Sequence, residues 1–94
     1  MRLDHPEDYT FLRFEKSRHK GKKYDAVLKN KKTQQEKRVP FGAIGFQQYE
    51  DRALGLYKND DHHDETRRKR YRQRHMGEDK HKFSSGFFAI KYLW

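Results

Sequence analysis

The chain has no cysteine, only two prolines, and no apolar run approaching the roughly 20 residues that a membrane span requires. The missing cysteines exclude a disulfide framework, a thiolate nucleophile and any cysteine-ligated zinc site. A small secreted domain normally relies on such staples, so a reducing compartment or a virion is the expected setting. Aliphatic side chains are scarce as well. Leu, Ile, Val and Phe together supply 17 of 94 residues, a thin stock for an autonomous core and for an enclosed active site. There is no Gly-Lys-Ser/Thr phosphate loop and no paired-carboxylate signature, and serine occurs only as Ser17, Ser84 and Ser85. The expectation is a protein that is not an enzyme, with no cofactor, no metal and no small-molecule substrate. Asp4, Glu7 and Asp8 stand where a signal peptide would carry basic charge, so a soluble, unexported chain is expected.

Aromatic and basic residues are plentiful. Seven Phe, six Tyr and one Trp can each bury roughly 150 to 250 Å², enough to order a chain whose packing is completed by partners. The formal net charge is +9, and it is spread evenly, with 12 basic and 7 acidic residues in positions 1–50 and 11 and 7 in the remainder. Such a balance suits nucleic acid, an acidic protein surface or the inner face of a DNA-filled shell.

The pattern along the chain predicts a small single α+β domain. Alternation of apolar and polar residues from Tyr9 to Phe41, broken by Gly21 and by Asn30 to Thr33, reads as a two- or three-stranded antiparallel meander over 9–41. Its first strand carries apolar side chains on both faces. Pro40 requires the third strand to be an edge there, or to end there. Residues 42–60 read as irregular chain with a short helix. A capping Asp or Asn followed by acidic residues opens a basic helix over 61–76, closed by Gly77. Residues 84–94 form an aromatic tail, in a short helix or turn capped by Ser84 or Ser85.

Three sets of residues are candidates for function. Arg67, Lys69, Arg70, Arg72 and Arg74 spread around the basic helix as a patch for nucleic acid or an acidic partner, or as a solvated face. Asp64, Arg68, Tyr71 and His75 share one helix face and are expected to be structural, with Asp64 and Arg68 an i,i+4 ion pair worth about 0.2–0.5 kcal/mol. Phe87, Phe88, Tyr92, Leu93 and Trp94 are expected to anchor a partner, because a lone chain would struggle to cover so apolar a tail. His62, His63, Asp64, His75 and His81 contain metal-ligand types, but the spacing suits caps and surface positions better than a site. Histidines that meet carboxylates or phosphates would tighten those contacts as pH falls.

One resemblance rests on particular residues: Lys-Lys-Tyr-Asp-Ala-Val at 22–27, Val-Pro-Phe-Gly at 39–42, Gly-Phe-Gln-Gln-Tyr at 45–49, His62 with Asp64, Arg-Arg-Lys-Arg-Tyr-Arg-Gln-Arg-His at 67–75 and the closing Leu-Trp. Over residues 20–94 this order resembles a family of small basic proteins encoded by large DNA viruses of algae and protists, and by some phages. Leu54 to Tyr57 looks like an insertion relative to its shorter members. The resemblance implies a viral source, and read together with the composition it places the chain in the virion as an expectation. With the composition, it leads to the expectation of a minor capsid or capsid-lining protein that packs against larger capsid proteins. The alternative is a small viral DNA-binding protein that organises or condenses packaged DNA.

Overall fold

The computed structural model describes residues 3–94. Three antiparallel strands, β1 (Tyr9–Lys16), β2 (Lys22–Asn30) and β3 (Glu36–Ala43), form a meander in the order β1-β2-β3. Two helices follow, α1 (Glu65–Arg74) and α2 (Ser85–Tyr92), which makes the α+β class expected from the sequence. Gly21, at φ +81°, supplies the left-handed residue between β1 and β2. Between β2 and β3 the Asn30 side chain accepts the Lys32 and Thr33 amides at 2.8 and 3.1 Å, the local bond that makes asparagine a turn former. Pro40 lies within β3, an edge strand, and its carbonyl accepts the Ser85 hydroxyl at 2.6 Å.

Register explains how a strand apolar at both odd and even positions finds cover. Phe11 pairs with Leu28 but Phe14 pairs with Ala26, because the ladder slips between Phe11 and Arg13. Leu12 is the extra residue of this bulge, and Phe11 and Phe14 consequently join the same face. The expected two-sided apolar strand is thereby corrected to a one-sided one. On that face Tyr24, Ala26, Leu28, Val39 and Phe41 form the core with Phe83, Phe88 and Leu93. On the other face Arg38 meets Glu15 at 2.6 Å and Asp25 at 3.4 Å, and the stems of Arg13 and Arg38 flank the buried Val27 in register.

The helix expected over 61–76 is shorter. Asp61 bridges to Gln48 and His63 takes a φ of +53°, so residues 61–63 are held out of the helix and Asp64 becomes the cap, its carboxylate accepting the Thr66 and Arg67 amides. That duty replaces the expected Asp64–Arg68 ion pair; Arg68 reaches Glu65 instead, at 3.8 Å. In 42–60 the expected short helix is a single 3-10 turn, Lys58–Asp60. The aromatic tail is α2, with Ser84 as the cap that accepts the Phe87 amide. Past its last turn, the carbonyls of Tyr92 and Leu93 accept the Arg52 and Glu50 amides, and the Arg52 guanidinium donates to Lys91 O at 2.7 Å.

Candidate partner-binding surface

The tail is the chain's own core. Phe88 and Leu93 are each 1% exposed, and the Phe88 ring packs among those of Phe11, Phe14, Phe41 and Phe83. The expectation that a lone chain leaves this segment uncovered is corrected: a sheet face with two bulge-aligned phenylalanines covers it. Phe87, Tyr92 and Trp94 remain partly exposed. Trp94 stacks on Tyr71, with centroids 4.1 Å apart, and the other neighbour of Tyr71 is the His75 ring at 4.2 Å. Arg68 completes this seam by donating from Nε to Trp94 O at 2.6 Å and lying 4.5 Å over the Tyr49 ring. The face of Arg68, Tyr71 and His75 therefore docks α1 on the body, while burial pushes the Tyr71 phenol above its ordinary pKa.

The outer residues of α1 differ in their engagements. Arg67 donates to Gln47 Oε1 at 2.8 Å, and Arg72 to Trp94 O at 3.2 Å. Lys69, Arg70 and Arg74 are exposed and meet no acidic side chain among the described residues. All five thus present charge to solvent.

Sequence reasoning missed the segment from Ile44 to Leu56, which carries four exposed large apolar side chains. Ile44 is 47% exposed, Phe46 70%, Leu54 48% and Leu56 58%. A buried polar network tethers this segment in the absence of a helix. Lys23, 1% exposed, donates from Nζ to Phe46 O at 2.6 Å and to Gln48 Oε1, and lies 3.3 Å from Asp60. Gln48 in turn donates to Tyr57 O at 2.8 Å and Asp61 Oδ1 at 2.6 Å. Tyr24 donates its hydroxyl proton to Asp51 at 2.5 Å and accepts the Leu56 amide, and desolvation with the Asp51 hydrogen bond pushes its pKa well above the ordinary value. Lys-Lys-Tyr-Asp at 22–25 was the one available signal, since Lys23 and Tyr24 point to opposite sides of a strand and both find buried partners.

The aspartates of 60–64 and His62 have partners within the protein. Asp60 faces Lys23, Asp61 accepts from Gln48 and the Asp51 amide, and Asp64 caps α1. Among the described residues no group of three or more His, Asp or Glu side chains is placed to hold a metal ion. The Asp64 amide donates to His62 Nδ1 at 2.9 Å, which assigns the ring proton to Nε2, a buried atom without a partner among the described residues. Burial, reinforced by Arg67, holds this imidazole below its ordinary pKa. Acidification therefore works against His62, which meets a backbone amide; the histidines that do meet carboxylates are His19, 3.1 Å from Asp25, and His75, 2.9 Å from Glu78. None of the helices is long and apolar enough to cross a membrane, among the described residues.

No protein-family model matches the chain, and comparisons with curated proteins and with solved structures give no match.

Proposed function

We propose that the chain is a structural component of a virus particle, a minor capsid or capsid-lining protein that packs against larger capsid proteins. The observation that carries this reading is the tethered 44–56 segment, which holds Phe46 and Leu56 largely in solvent although their backbones are fixed by buried Lys23 and Tyr24. Large apolar side chains presented on a fixed backbone bind without a large ordering cost, and a larger protein surface is what covers them. The chain's net charge of +9 favours an acidic face on that partner. The resemblance of residues 20–94 to small basic viral proteins supports the particle setting.

The experiment is incorporation of Phe46→Asp/Leu56→Asp into particles beside the wild type. Both side chains are surface groups, so the variant folds and is excluded from particles under this reading. Incorporation at wild-type stoichiometry rejects it. Deleting Tyr92 to Trp94 is the poorer test, because Leu93 belongs to the core and its loss unfolds the chain.

A second reading, binding to packaged DNA, is favoured by Lys69, Arg70 and Arg74, which extend from α1 without acidic partners among the described residues. Affinity for duplex DNA would then fall steeply with salt, with a log-log slope set by the phosphates contacted. Replacing Arg67, Arg70 and Arg74 with Ala abolishes that binding if the reading holds; unchanged affinity removes it.

A further inference from the structure

A groove of about 540 Å³ opens where the end of the meander meets α1 and the start of α2. Beneath it lie Phe41 and Leu93, each 1% exposed and so offering almost no surface to a ligand, and Ala89. Phe46, 70% exposed, stands in its lining. Three cations share that lining: Lys22, Arg67 and Arg74. None of the three has an acidic partner among the described residues; Arg67 bonds neutral Gln47, and the other two side chains have no polar partner. The one acidic residue of the lining, Glu78, is already engaged by His75 Nδ1 at 2.9 Å. The fourth basic residue there, Lys23, turns its ammonium to Phe46 O, Gln48 and Asp60.

We infer that this groove is a docking site for an acidic peptide segment of the partner, which sets one apolar side chain against Phe46 while its carboxylates pair with Lys22, Arg67 and Arg74. The inference deepens the capsid reading, and rests on it for the identity of the partner as a protein. Charge complementarity selects the carboxylates, since a groove lined by three unneutralised cations disfavours a neutral or basic segment. The exposed Phe46 ring selects a segment with an apolar side chain over a bare polyanion, and the volume falls within the roughly 300–1,000 Å³ typical of ligand pockets. A nucleobase fits less well. Strands bind by stacking successive bases on several aromatic faces, and here only the Phe46 ring is exposed, Tyr71 being sandwiched between Trp94 and His75.

The test is fluorescence anisotropy of the full chain with a labelled Glu-Asp-Glu-Leu-Asp-Glu-Asp peptide at about 100 mM salt, where surface charges still act over about 10 Å. Three proteins are compared: wild type, Arg67→Glu/Arg74→Glu in the groove, and Lys69→Glu/Arg70→Glu, which makes the same charge change outside it. The groove variant should bind at least about tenfold more weakly and the control within about threefold of wild type, as expected when contact pairs rather than the distant field are lost. Replacing the peptide's leucine with serine should also weaken binding. Equal losses for the two variants, no saturable binding by wild type, or equally tight binding of a thymidine oligonucleotide of matched charge would overturn the inference. Circular dichroism melts verify folding, and Lys22→Glu replaces the double variant if that one fails to fold. Particle retention separates this result from the parent reading. Wild type absent from particles rejects the capsid role whatever the peptide does, whereas retained wild type with an unaffected groove variant rejects the groove alone.

Discussion

Tyr71 lies flat against Trp94, with ring planes 4° from parallel and centroids 4.1 Å apart, and this pair is the main apolar attachment of a helix with no buried residue. The Arg68 bond to the Trp94 carbonyl fixes the same junction from one turn away. Basic residues can surround α1 because its attachment needs only this narrow seam.

Replacing Trp94 with Ala should therefore loosen α1 while leaving the sheet and α2 folded, since Arg68 and Arg72 still bond the main-chain carbonyl at position 94. The expected cost is about 2 kcal/mol, from lost aromatic area and stacking, which in a domain of this size lowers Tm by about 8–16 °C. Hydrogen exchange of residues 65–74 should accelerate more than that of the strand amides. Uniform acceleration across the chain would show that α1 has no separate attachment.

The buried ammonium of Lys23 organises the 44–61 segment through Phe46 O, Gln48 and Asp60. Lys23→Met keeps most of the side-chain volume but strands those acceptors, and should cost about 3 kcal/mol in urea unfolding. Gln48→Leu should cost less in that background than in the wild type, because the Lys23–Gln48 bond it would break is already gone and only those to Tyr57 O and Asp61 remain to be lost. Strictly additive losses would contradict the network.

At Asp25 desolvation favours the neutral acid, but hydrogen bonds from the Ser17 hydroxyl, the Arg18 amide and His19 outweigh it and hold the pKa below the ordinary carboxylate value. The sign follows from linkage: a depressed folded-state pKa contributes stability above the unfolded value, near pH 4, that is lost as pH falls through the folded value. Urea midpoints of wild type should thus drop on acidification below about pH 4, and Asp25→Asn should flatten that limb. Glu15, also held low by hydrogen bonds from Arg38 and Arg13, leaves a residual slope in the variant. Parallel limbs would exclude Asp25 as a contributor.

The meander was legible in the sequence because alternation, Gly21 and Asn30 act locally. Helix α1 was legible in kind but not in extent, since Asp61 and His62 are bonded to Gln48, 13 residues before Asp61, and His63 takes a positive φ with its amide on Tyr49 O. The bulge at Leu12 left no local mark; it is selected by the need to bring Phe11 and Phe14 to one face. The candidate surface was half visible. Basic residues of α1 declared themselves by composition, whereas exposure of Phe46 and burial of Lys23 reverse the usual preferences of both residue types. Such reversals arise from tertiary contacts that no window of sequence contains.

Gly42 sits at φ +77°, and a Cβ there would lie 2.9 Å from Leu93 Cδ1 and 3.2 Å from Lys23 Cβ. Gly42→Ala should cost more than the roughly 1 kcal/mol of left-handed strain alone, because the core must also shift around Leu93. Gly45→Ala, at φ +87° with nothing within 4 Å, isolates the strain contribution. Equal unfolding free energies for the two variants would show that the contact with Leu93 carries no cost.

The central claim is that the chain is held in a particle by packing against protein. Mass spectrometry of purified particles, emptied of genome and washed at high salt, tests it directly. Retention of the chain at its original stoichiometry in the emptied shells is the expected result. Release together with the DNA would contradict the claim and assign function to the basic residues of α1.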